Sequence, residues 1–366
     1  MKLSINLVTW NGAKYVLYLF ESLRKQTFKD WQLLIVDNNS QDGMVALMKK
    51  ELDPSTRAAE VARYGAGNFP VPWEIIENKE NKGFAGGHNM AFKKTDSEYV
   101  LMLNQDMYLA PDCLEKIVKF LDDNSQVTVA SPRLMKWNFD LLDDANILQK
   151  SFTDQIDTLG LEVFRNRRVV EKFAGQDWLE VQRKIGQVGS LRVFGLSGAL
   201  PVFRKSKVEE VLFRDGAIFD ESYQSYKEDV DLAFRLTAHG SEVYVILDAV
   251  AYHDRSASGS KDMSDMVALN NKKTQSEWVK YHSYKNHLMT LYKNEYWQNL
   301  ILDFPWILWY ELKKFVYYLV LNRKVLAGLK EIWKLRKDLK EKRTFIKNNR
   351  KLNWQEVRKL YGLRRI

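Results

Sequence analysis

The chain has 366 residues, of which 45% are hydrophobic and 28% charged, a composition typical of a folded globular protein and not of a disordered one. Its one cysteine, Cys113, excludes a disulfide framework and a cysteine-based zinc site, and fits a reducing compartment. The formal net charge of +9 raises nucleic acid or an anionic membrane as a partner.

The basic residues are concentrated near the C-terminal end. From Glu311 onward there are 18 Lys and Arg against 5 Asp and Glu, a net charge of +13, so the first 310 residues carry −4. No run of about 18 uncharged apolar residues occurs, and the N-terminal apolar run is too short for a secretory signal. We therefore expect a mildly acidic cytoplasmic body without a spanning helix, joined to a basic tail.

Strand and helix patterns alternate along the first 131 residues. Short apolar or alternating runs predict strands at 2–8, 31–36, 73–77, 99–103 and 127–131. Apolar residues at helical spacing predict helices at 15–26, 42–52, 84–94 and 111–121. This order predicts an α/β fold with a mostly parallel, doubly wound sheet.

The remainder of the chain is less regular. No pattern stands out between 136 and 191, and 193–203 is interpreted as a strand pair or one strand bulged at Gly198. Later patterns predict a helix at 228–238, a strand at 243–247, a helix at 272–293 and a helical tail from Trp306. We expect a nucleotide-sugar-binding α/β half at 1–132, an acceptor-side half of the same catalytic domain at 133–298, and a basic amphipathic helical tail at 299–366.

Polar residues follow four predicted strands, at the edge where ligands bind in an open α/β sheet. A single such residue is commonly a helix cap or a turn former, but four groups together favour a nucleotide pocket. The groups are Thr9 to Gly12, Asp37 to Ser40, Asn78 to Phe84, and Asn104 to Asp106.

Two of the candidates have side chains that suit a metal ion. Asp106 directly follows a buried strand, and one carboxylate together with a diphosphate suits Mg²⁺ or Mn²⁺. His253 ends the last strand pattern, which suits a further ligand, although a lone histidine is more often structural. His88 faces either the pocket or solvent.

A cluster of carboxylates opens the helix at 228–238. Such groups commonly stabilise the positive end of a helix, which is the alternative interpretation. Helical spacing predicts that Asp229 points inward, where it is a natural general base for a hydroxyl acceptor, and that Asp231 points away.

These segments together resemble the inverting family 2 glycosyltransferases of the GT-A fold, and most of all the bacterial rhamnosyltransferase-type enzymes. The resemblance covers about 2–294, and the carrying motifs include the run from Asn81 to Asn89, the segment from Asn104 to Asp106, the segment from Ser197 to Ala199 and the segment from Glu228 to Leu232. The runs 156–161 and 193–199 support the narrower match.

The resemblance implies a role for each candidate residue. The base and ribose are held by Thr9, Asn11, Asp37 and Asn39; the nucleotide side of the pocket is lined by Lys82, Gly83 and Asn89. The metal ligands are Asp106 and His253; the base is Asp229, with Glu228 contacting acceptor or donor sugar. Asn104 departs from the family's D-x-D motif, which has a carboxylate there, and it can instead bond a ribose or a metal-bound water.

The implied partners are a nucleotide-diphosphate sugar such as dTDP-rhamnose and a glycan or polyprenyl-linked acceptor. A tail in which aromatic residues alternate with Lys and Arg favours an anionic membrane surface at the inner face of the cell membrane. Packing of the tail on the body is the alternative. The two can also be combined, with the near half of the tail packed on the body and its far half facing lipid. Nucleic acid is disfavoured because no recognition motif accompanies the charge. A nucleotidyltransferase and a non-catalytic, nucleotide-sugar-binding membrane scaffold are the rival functions.

Overall fold

The computed structural model describes residues 1–53, 69–142, 148–255 and 275–361. Within these residues ten strands form one mixed sheet, and two more form a separate hairpin. The strands are β1 Leu3–Thr9, β2 Trp31–Asp37, β3 Trp73–Glu77, β4 Tyr99–Asn104, β5 Met107–Leu109, β6 Val127–Trp137, β7 Phe152–Thr158, β8 Leu161–Val163, β9 Val169–Glu171, β10 Ser190–Arg192, β11 Val202–Arg204 and β12 Glu242–His253.

Helices alternate with the early strands and dominate the C-terminal third of the described chain. They are α1 Val16–Arg24, α2 Met44–Leu52, α3 Gly83–Lys94, α4 Cys113–Asp123, α5 Trp178–Ile185, α6 Lys205–Val208, α7 Glu228–Ala238, α8 Glu277–Asn294, α9 Trp297–Leu302, α10 Phe304–Leu321, α11 Ala327–Lys334, α12 Arg336–Asn348 and α13 Trp354–Leu360. The predicted mixed α/β fold with a C-terminal helical extension is confirmed.

The sheet is parallel over its first half. Strands β3, β2, β1 and β4 are parallel neighbours, β11 lies antiparallel between β4 and β6, and β12 runs parallel to β6. Helices cover both faces, so Ser4 and Asn6 of β1 are as fully buried as Leu3, Ile5 and Leu7. The register pairs Thr9 with Asp37, which brings the polar ends of these strands to one edge.

The segment preceding β11 differs from its prediction. Within 193–204 only Val202–Arg204 is a strand, so both interpretations of 193–203, a strand pair or one strand bulged at Gly198, are wrong. The reason is close packing: a Cβ at Gly195 would lie 2.3 Å from the Cβ of Ala233 on α7. Irregular backbone therefore presses against a helix where a paired strand could not fit.

The stretch 136–191, which had no clear pattern, contains real elements. β6 continues to Trp137 and pairs with β7, while β8 and β9 form the separate hairpin. These strands are short and mixed in burial, so neither alternation nor a continuous apolar run marks them.

The far part of the tail packs on the body. Leu339 of α12 contacts the buried Tyr223 and Met289, and Val357 and Tyr361 join a core around α7. The combination with the near half packing and the far half facing lipid is therefore wrong. Within the described ranges, no helix has the length and apolarity needed to span a bilayer.

Candidate active site

A large open cavity of about 1040 Å³ lies beyond the carboxyl ends of β1 and β4. Its walls come from both halves of the sheet and from α8. Of the predicted site residues, seven line this cavity: Thr9, Gly83, Asn104, Asp106, Glu228, Asp229 and His253. Five others are not among its lining residues: Asn11, Asp37, Asn39, Lys82 and Asn89.

The strand ends at Thr9 and Asp37 are joined by hydrogen bonds. The Thr9 hydroxyl donates to Asp37 Oδ1 at 2.8 Å, and Ser40 donates to Asp37 through both its backbone N–H (2.8 Å) and its hydroxyl (2.6 Å). Asp37 is buried. In this arrangement its carboxylate shapes the loop that follows β2.

Asn11 and Asn39 occupy turns with left-handed backbone, at φ 47° and φ 63°. Asn11 Oδ1 accepts the backbone N–H of Gln41 at 2.8 Å, and Asn39 Oδ1 accepts the side-chain N–H of Gln41 at 3.0 Å. Both asparagines therefore fold the loop beside the cavity, and asparagine tolerates this backbone region better than most residues do.

Gly83 begins α3 with φ +70°, and its Cα faces the neighbouring loop. A Cβ there would lie 2.5 Å from the carbonyl oxygen of Gln224. Glycine is therefore required at position 83, because the backbone is left-handed and because there is no room for a Cβ. Lys82 is exposed at the helix N-terminus, outside the cavity lining.

Asn89 and His88 lie inside the protein. Asn89 Oδ1 accepts the backbone N–H groups of Ile218 and Phe219, and its Nδ2 donates to the Phe219 carbonyl and to Glu221. The expectation that Asn89 lines the nucleotide side is therefore wrong, because all its bonds go to one loop. His88 faces neither pocket nor solvent: it is buried in contact with aromatic rings, and burial lowers its pKa to about 3.

Asp106, His253 and Asp157 form a line of polar contacts at the cavity wall. His253 Nε2 lies 3.4 Å from Asp106 Oδ1, and Nδ1 lies 2.9 Å from Asp157 Oδ2. Burial lowers the pKa of His253, but the two carboxylates outweigh it and raise this pKa to about 9. A histidine oriented through its second nitrogen by a carboxylate is the usual arrangement of a metal ligand.

The donor set can be tested against a divalent cation. The described residues contain no group of three or more His, Cys, Asp or Glu able to hold a metal. Asp106 and His253 nevertheless present one oxygen and one nitrogen to the same point of the cavity wall. The residues fit a cation that takes its remaining ligands from a diphosphate and water.

Asp229 and Glu228 adjoin each other but differ in surroundings. Asp229 lines the cavity, and its Oδ2 accepts the backbone N–H of Gly198 at 3.2 Å. Glu228 is buried with its Oε2 lacking a hydrogen-bond partner. Burial, helped by the charge of Asp229, raises the pKa of Glu228 well above its usual range.

Asp231 points inward, so the expectation that it faces away is wrong. It is fully buried and accepts from Asn294 Nδ2 at 2.7 Å, with Lys293 Nζ at 3.0 Å and Arg235 Nε at 3.3 Å. Helix α8 covers this side of α7, which isolated helical spacing could not reveal.

Sequence reasoning missed Arg255, which follows β12. Its guanidinium contacts Glu171 at 2.6 Å, Asp157 at 3.1 Å and the Ser197 hydroxyl at 3.0 Å. The feature of the sequence that could have pointed to Arg255 is its position two residues after His253. Arg255 thereby ties the β8–β9 hairpin to the small residues around Gly198.

The loop before Asp229 has strained backbone. Gln224, Tyr226 and Lys227 all have positive φ, between 59° and 72°. Asn286 of α8 donates through Nδ2 to the carbonyls of Tyr223, Ser225 and Tyr226, at 2.7–3.0 Å. This side chain, also missed from sequence, holds the loop beside the cavity.

Comparisons with known proteins indicate the family and the fold that this chain resembles. Residues 4–164 match the family model described as glycosyl transferase family 2. This part of the chain is similar to glycosyl transferase family 2. Together with the fold and cavity, the match identifies the chain as a nucleotide-sugar glycosyltransferase.

Relatives in sequence are distant. The uncharacterized glycosyltransferase YfnE of Bacillus subtilis (strain 168) is 22% identical over 300 residues, which cover 73% of this chain and 68% of YfnE. The poly(ribitol-phosphate) β-N-acetylglucosaminyltransferase TarS of Staphylococcus aureus (strain Mu50) is 25% identical over 127 residues, which cover 34% of this chain and 19% of TarS.

Among solved structures, GalNAc-T7 bound to UDP, GalNAc and Mn²⁺ is similar with a TM-score of 0.54 and 12% sequence identity. The match covers 80% of this glycosyltransferase and 48% of GalNAc-T7. At this identity the likeness concerns the fold alone, which is of the GT-A type.

Proposed function

We propose that the protein transfers rhamnose from a nucleotide-diphosphate donor to a hydroxyl group of a glycan or polyprenyl-linked acceptor, with inversion at the anomeric carbon. The carrying observation is that one cavity contains Asp229, a carboxylate oriented by a backbone N–H, together with Asp106 and His253. The nucleotide is held by the loops after β1 and β2, which Asp37, Asn11 and Asn39 shape.

Asp106 and His253 are the residues proposed to hold Mg²⁺ or Mn²⁺. When bound, the cation offsets the negative charge that develops on the departing nucleoside diphosphate. Asp157 fixes the ring of His253 through Nδ1, so that Nε2 faces the cavity. Asn104 stands beside them without a charge and is proposed to bond the ribose.

Asp229 is proposed as the general base. It takes the proton of the acceptor hydroxyl while that oxygen forms a bond to the anomeric carbon and the bond to the diphosphate oxygen breaks on the opposite face. This is a single displacement, and no covalent enzyme intermediate is required. The N–H of Gly198 keeps the Asp229 carboxylate turned toward the cavity.

The base is tested by Asp229→Asn, which keeps the shape of the side chain but removes its basicity. We expect sugar transfer to fall by about 10²–10⁴-fold, the range typical of a lost general base. Asp248→Asn, the same replacement at an exposed position, is the control and should transfer sugar at the wild-type rate. Undiminished turnover by a folded Asp229→Asn protein would overturn the assignment.

The donor is tested by thermal shift and by hydrolysis of a panel of nucleotide sugars, each with and without EDTA. We expect dTDP-rhamnose to raise the melting temperature most, and EDTA or Asp106→Ala to weaken that effect. Greater stabilisation by a different nucleotide sugar would refute rhamnose as the transferred sugar, but it would not bear on the assignment of Asp229 as the base. If neither EDTA nor Asp106→Ala changes the stabilisation by the donor, the proposed metal site is refuted.

We further propose that the protein acts at the inner face of the cell membrane. The support is the net charge of +13 carried from Glu311 onward, which favours an anionic surface, and the exposed aromatic residues of the tail. A lipid-linked acceptor would be presented at such a surface.

A further inference from the structure

Helix α10 has its polar and apolar sides reversed relative to a helix on a water-exposed surface. The stripe that faces the protein contains Ile307, Glu311, Lys314 and Tyr318, of which Glu311 and Lys314 are charged. The opposite stripe, which faces outward, is apolar. A helix of a globular protein normally buries its apolar side and exposes its polar one.

The charged groups on the inner stripe are fully engaged. Glu311 accepts from His287 Nε2 at 2.7 Å and from Lys314 Nζ at 3.1 Å, and the Lys314 ammonium also lies over the rings of Tyr284 and Tyr310. Turning the helix to bury its apolar stripe would break the contacts that Glu311 and Lys314 make with His287 and Tyr284 of α8. The outward apolar stripe is therefore fixed by the packing of α10 on α8.

Exposed apolar side chains concentrate on α9 and α10. Of 24 large apolar side chains exposed in the described chain, 14 lie between 297 and 321. We call these 14 the outer face: Trp297, Leu300, Ile301, Leu302, Phe304, Trp306, Leu308, Trp309, Leu312, Phe315, Val316, Leu319, Val320 and Leu321. Contiguous exposed apolar surface on this scale marks an interaction site.

The exposed charged residues within the stretch 297–330 have one sign. Between 297 and 330 the only acidic residues are Asp303 and Glu311. Asp303 forms an ion pair with Arg167, and Glu311 forms one with Lys314 of the same helix. The exposed charged residues of the same stretch are all basic: Lys313, Arg323, Lys324 and Lys330. One acidic residue from outside the stretch, Glu277 of α8, lies 3.3 Å from Lys324 Nζ. Two copies meeting through this surface would bring like charges together, whereas an anionic lipid surface complements them.

The outer face is rigidly joined to the cavity. Asp303, between α9 and α10, bonds Arg165 and Arg167, which lie in the loop of the β8–β9 hairpin. The same hairpin lines the cavity through Val169 and Glu171. In addition, α8 lines the cavity near its N-terminus and packs on α10 through Tyr284 and Tyr318.

We propose that the outer face of α9 and α10 docks the protein onto an anionic lipid bilayer, with the two helices lying along the membrane surface. This deepens the membrane association proposed above and assigns it to residues 297–321, while the far part of the tail belongs to the body. The tryptophans insert at the headgroup level, and the four exposed basic residues meet the lipid phosphates.

The test is flotation of the purified full chain with phosphatidylcholine vesicles, with and without phosphatidylglycerol. We expect the wild type to float with the anionic vesicles and to be released by salt. Leu312→Glu places a charge in the outer face and should weaken binding at least about tenfold. Leu179→Glu, the same replacement at an exposed leucine on α5, is the matched control and should bind like the wild type.

Other results would overturn the docking surface. Equal flotation of the wild type, Leu312→Glu and Leu179→Glu would do so, as would a wild-type dimer, seen by light scattering, that Leu312→Glu dissociates without any vesicle binding. Transfer to a water-soluble acceptor is measured on the same samples. Since Leu312 lies outside the cavity, loss of flotation with normal transfer separates docking from catalysis, and loss of transfer in every sample would count against the proposed reaction alone.

Discussion

Glu228 and Asp229 show how two adjacent carboxylates acquire different properties from their surroundings. Glu228 is buried without a partner for Oε2, whereas Asp229 faces the cavity and accepts a backbone hydrogen bond. The raised pKa of Glu228, caused by its burial, favours the neutral, protonated form of this side chain. Only Asp229 of this pair is then available to accept a proton from an acceptor.

We therefore predict that Glu228→Gln retains most of its transfer activity, because glutamine reproduces a neutral side chain of the same size. Initial rates of sugar transfer at neutral pH, measured beside Asp229→Asn, provide the check. A loss from Glu228→Gln as large as that from Asp229→Asn would mean that Glu228 itself exchanges a proton during the reaction.

Among the elements, α8 supports the catalytic loop. The loop holds three non-glycine residues at positive φ, and a left-handed backbone costs such residues about 1–2 kcal/mol each. Asn286 offsets this cost with hydrogen bonds to three loop carbonyls. Asp229 follows two residues after Lys227, so its position depends on this loop.

Replacement of Asn286 by alanine should lower both stability and turnover. Leaving buried carbonyls unsatisfied costs about 1–3 kcal/mol, and the loop that orients Asp229 loosens. Thr290→Ala is the control, because Thr290 lies on the same helix and bonds the Tyr223 hydroxyl but none of these carbonyls. Urea unfolding and transfer rates per folded molecule are measured, and equal turnover in the two variants would contradict a positioning role.

Elements with strong local patterns were predictable from the sequence. The strand at 73–77 and the helix at 228–238 have the predicted bounds, because an apolar run or helical spacing is a property of neighbouring residues. Strand β11 was overextended because close contact with Ala233 depends on distant packing. Strands such as β8, three residues long, carry no periodicity to detect.

The site residues likewise fall into those that could be predicted from the sequence and those that could not. Positions after strands, such as Thr9 and Asp106, could be predicted to share one edge because parallel topology brings strand ends together. Asn89 could not be excluded from the predicted nucleotide pocket, since its hydrogen-bond partners lie about 130 residues away along the chain. Arg255 and Asn286 were missed because their roles arise from contacts between elements that no local spacing encodes.

On the scale of the whole molecule, the tail and the body are joined by ion pairs that bury opposite charges. Asp303 is fully buried and contacts Arg165, Arg167 and Arg358, the last from α13. Asp220 likewise contacts Lys293 and, on α12, Lys342. The acidic body and basic tail thus form one folded unit.

Asp303→Asn should destabilise the protein by about 3–5 kcal/mol at neutral pH, since it removes the buried carboxylate charge that Arg165, Arg167 and Arg358 share. Burial raises the pKa of Asp303, but its three arginine partners outweigh it and lower this pKa from 3.8 to about 2. A lowered pKa means that the contribution is present above about pH 4 and is lost as pH falls through about 2.

Denaturant unfolding of the wild type and Asp303→Asn across this pH range measures the difference. The gap in unfolding free energy should narrow as the pH falls from about 4 toward 2. Asp338→Asn, at a half-exposed carboxylate on α12, should cost about 1 kcal/mol or less. A gap between wild type and Asp303→Asn that stays constant down to pH 2 would contradict the ion-pair explanation.

The reversed polarity of α10 has a kinetic consequence. A protein held flat on a bilayer by this helix meets lipid-anchored acceptors by lateral diffusion in two dimensions, while its donor arrives from the aqueous phase in three. The rate of encounter with acceptor then follows the number of acceptors per unit of membrane area and not their concentration in bulk solution. Diluting the vesicles at a fixed lipid composition would leave that encounter rate unchanged for every bound molecule.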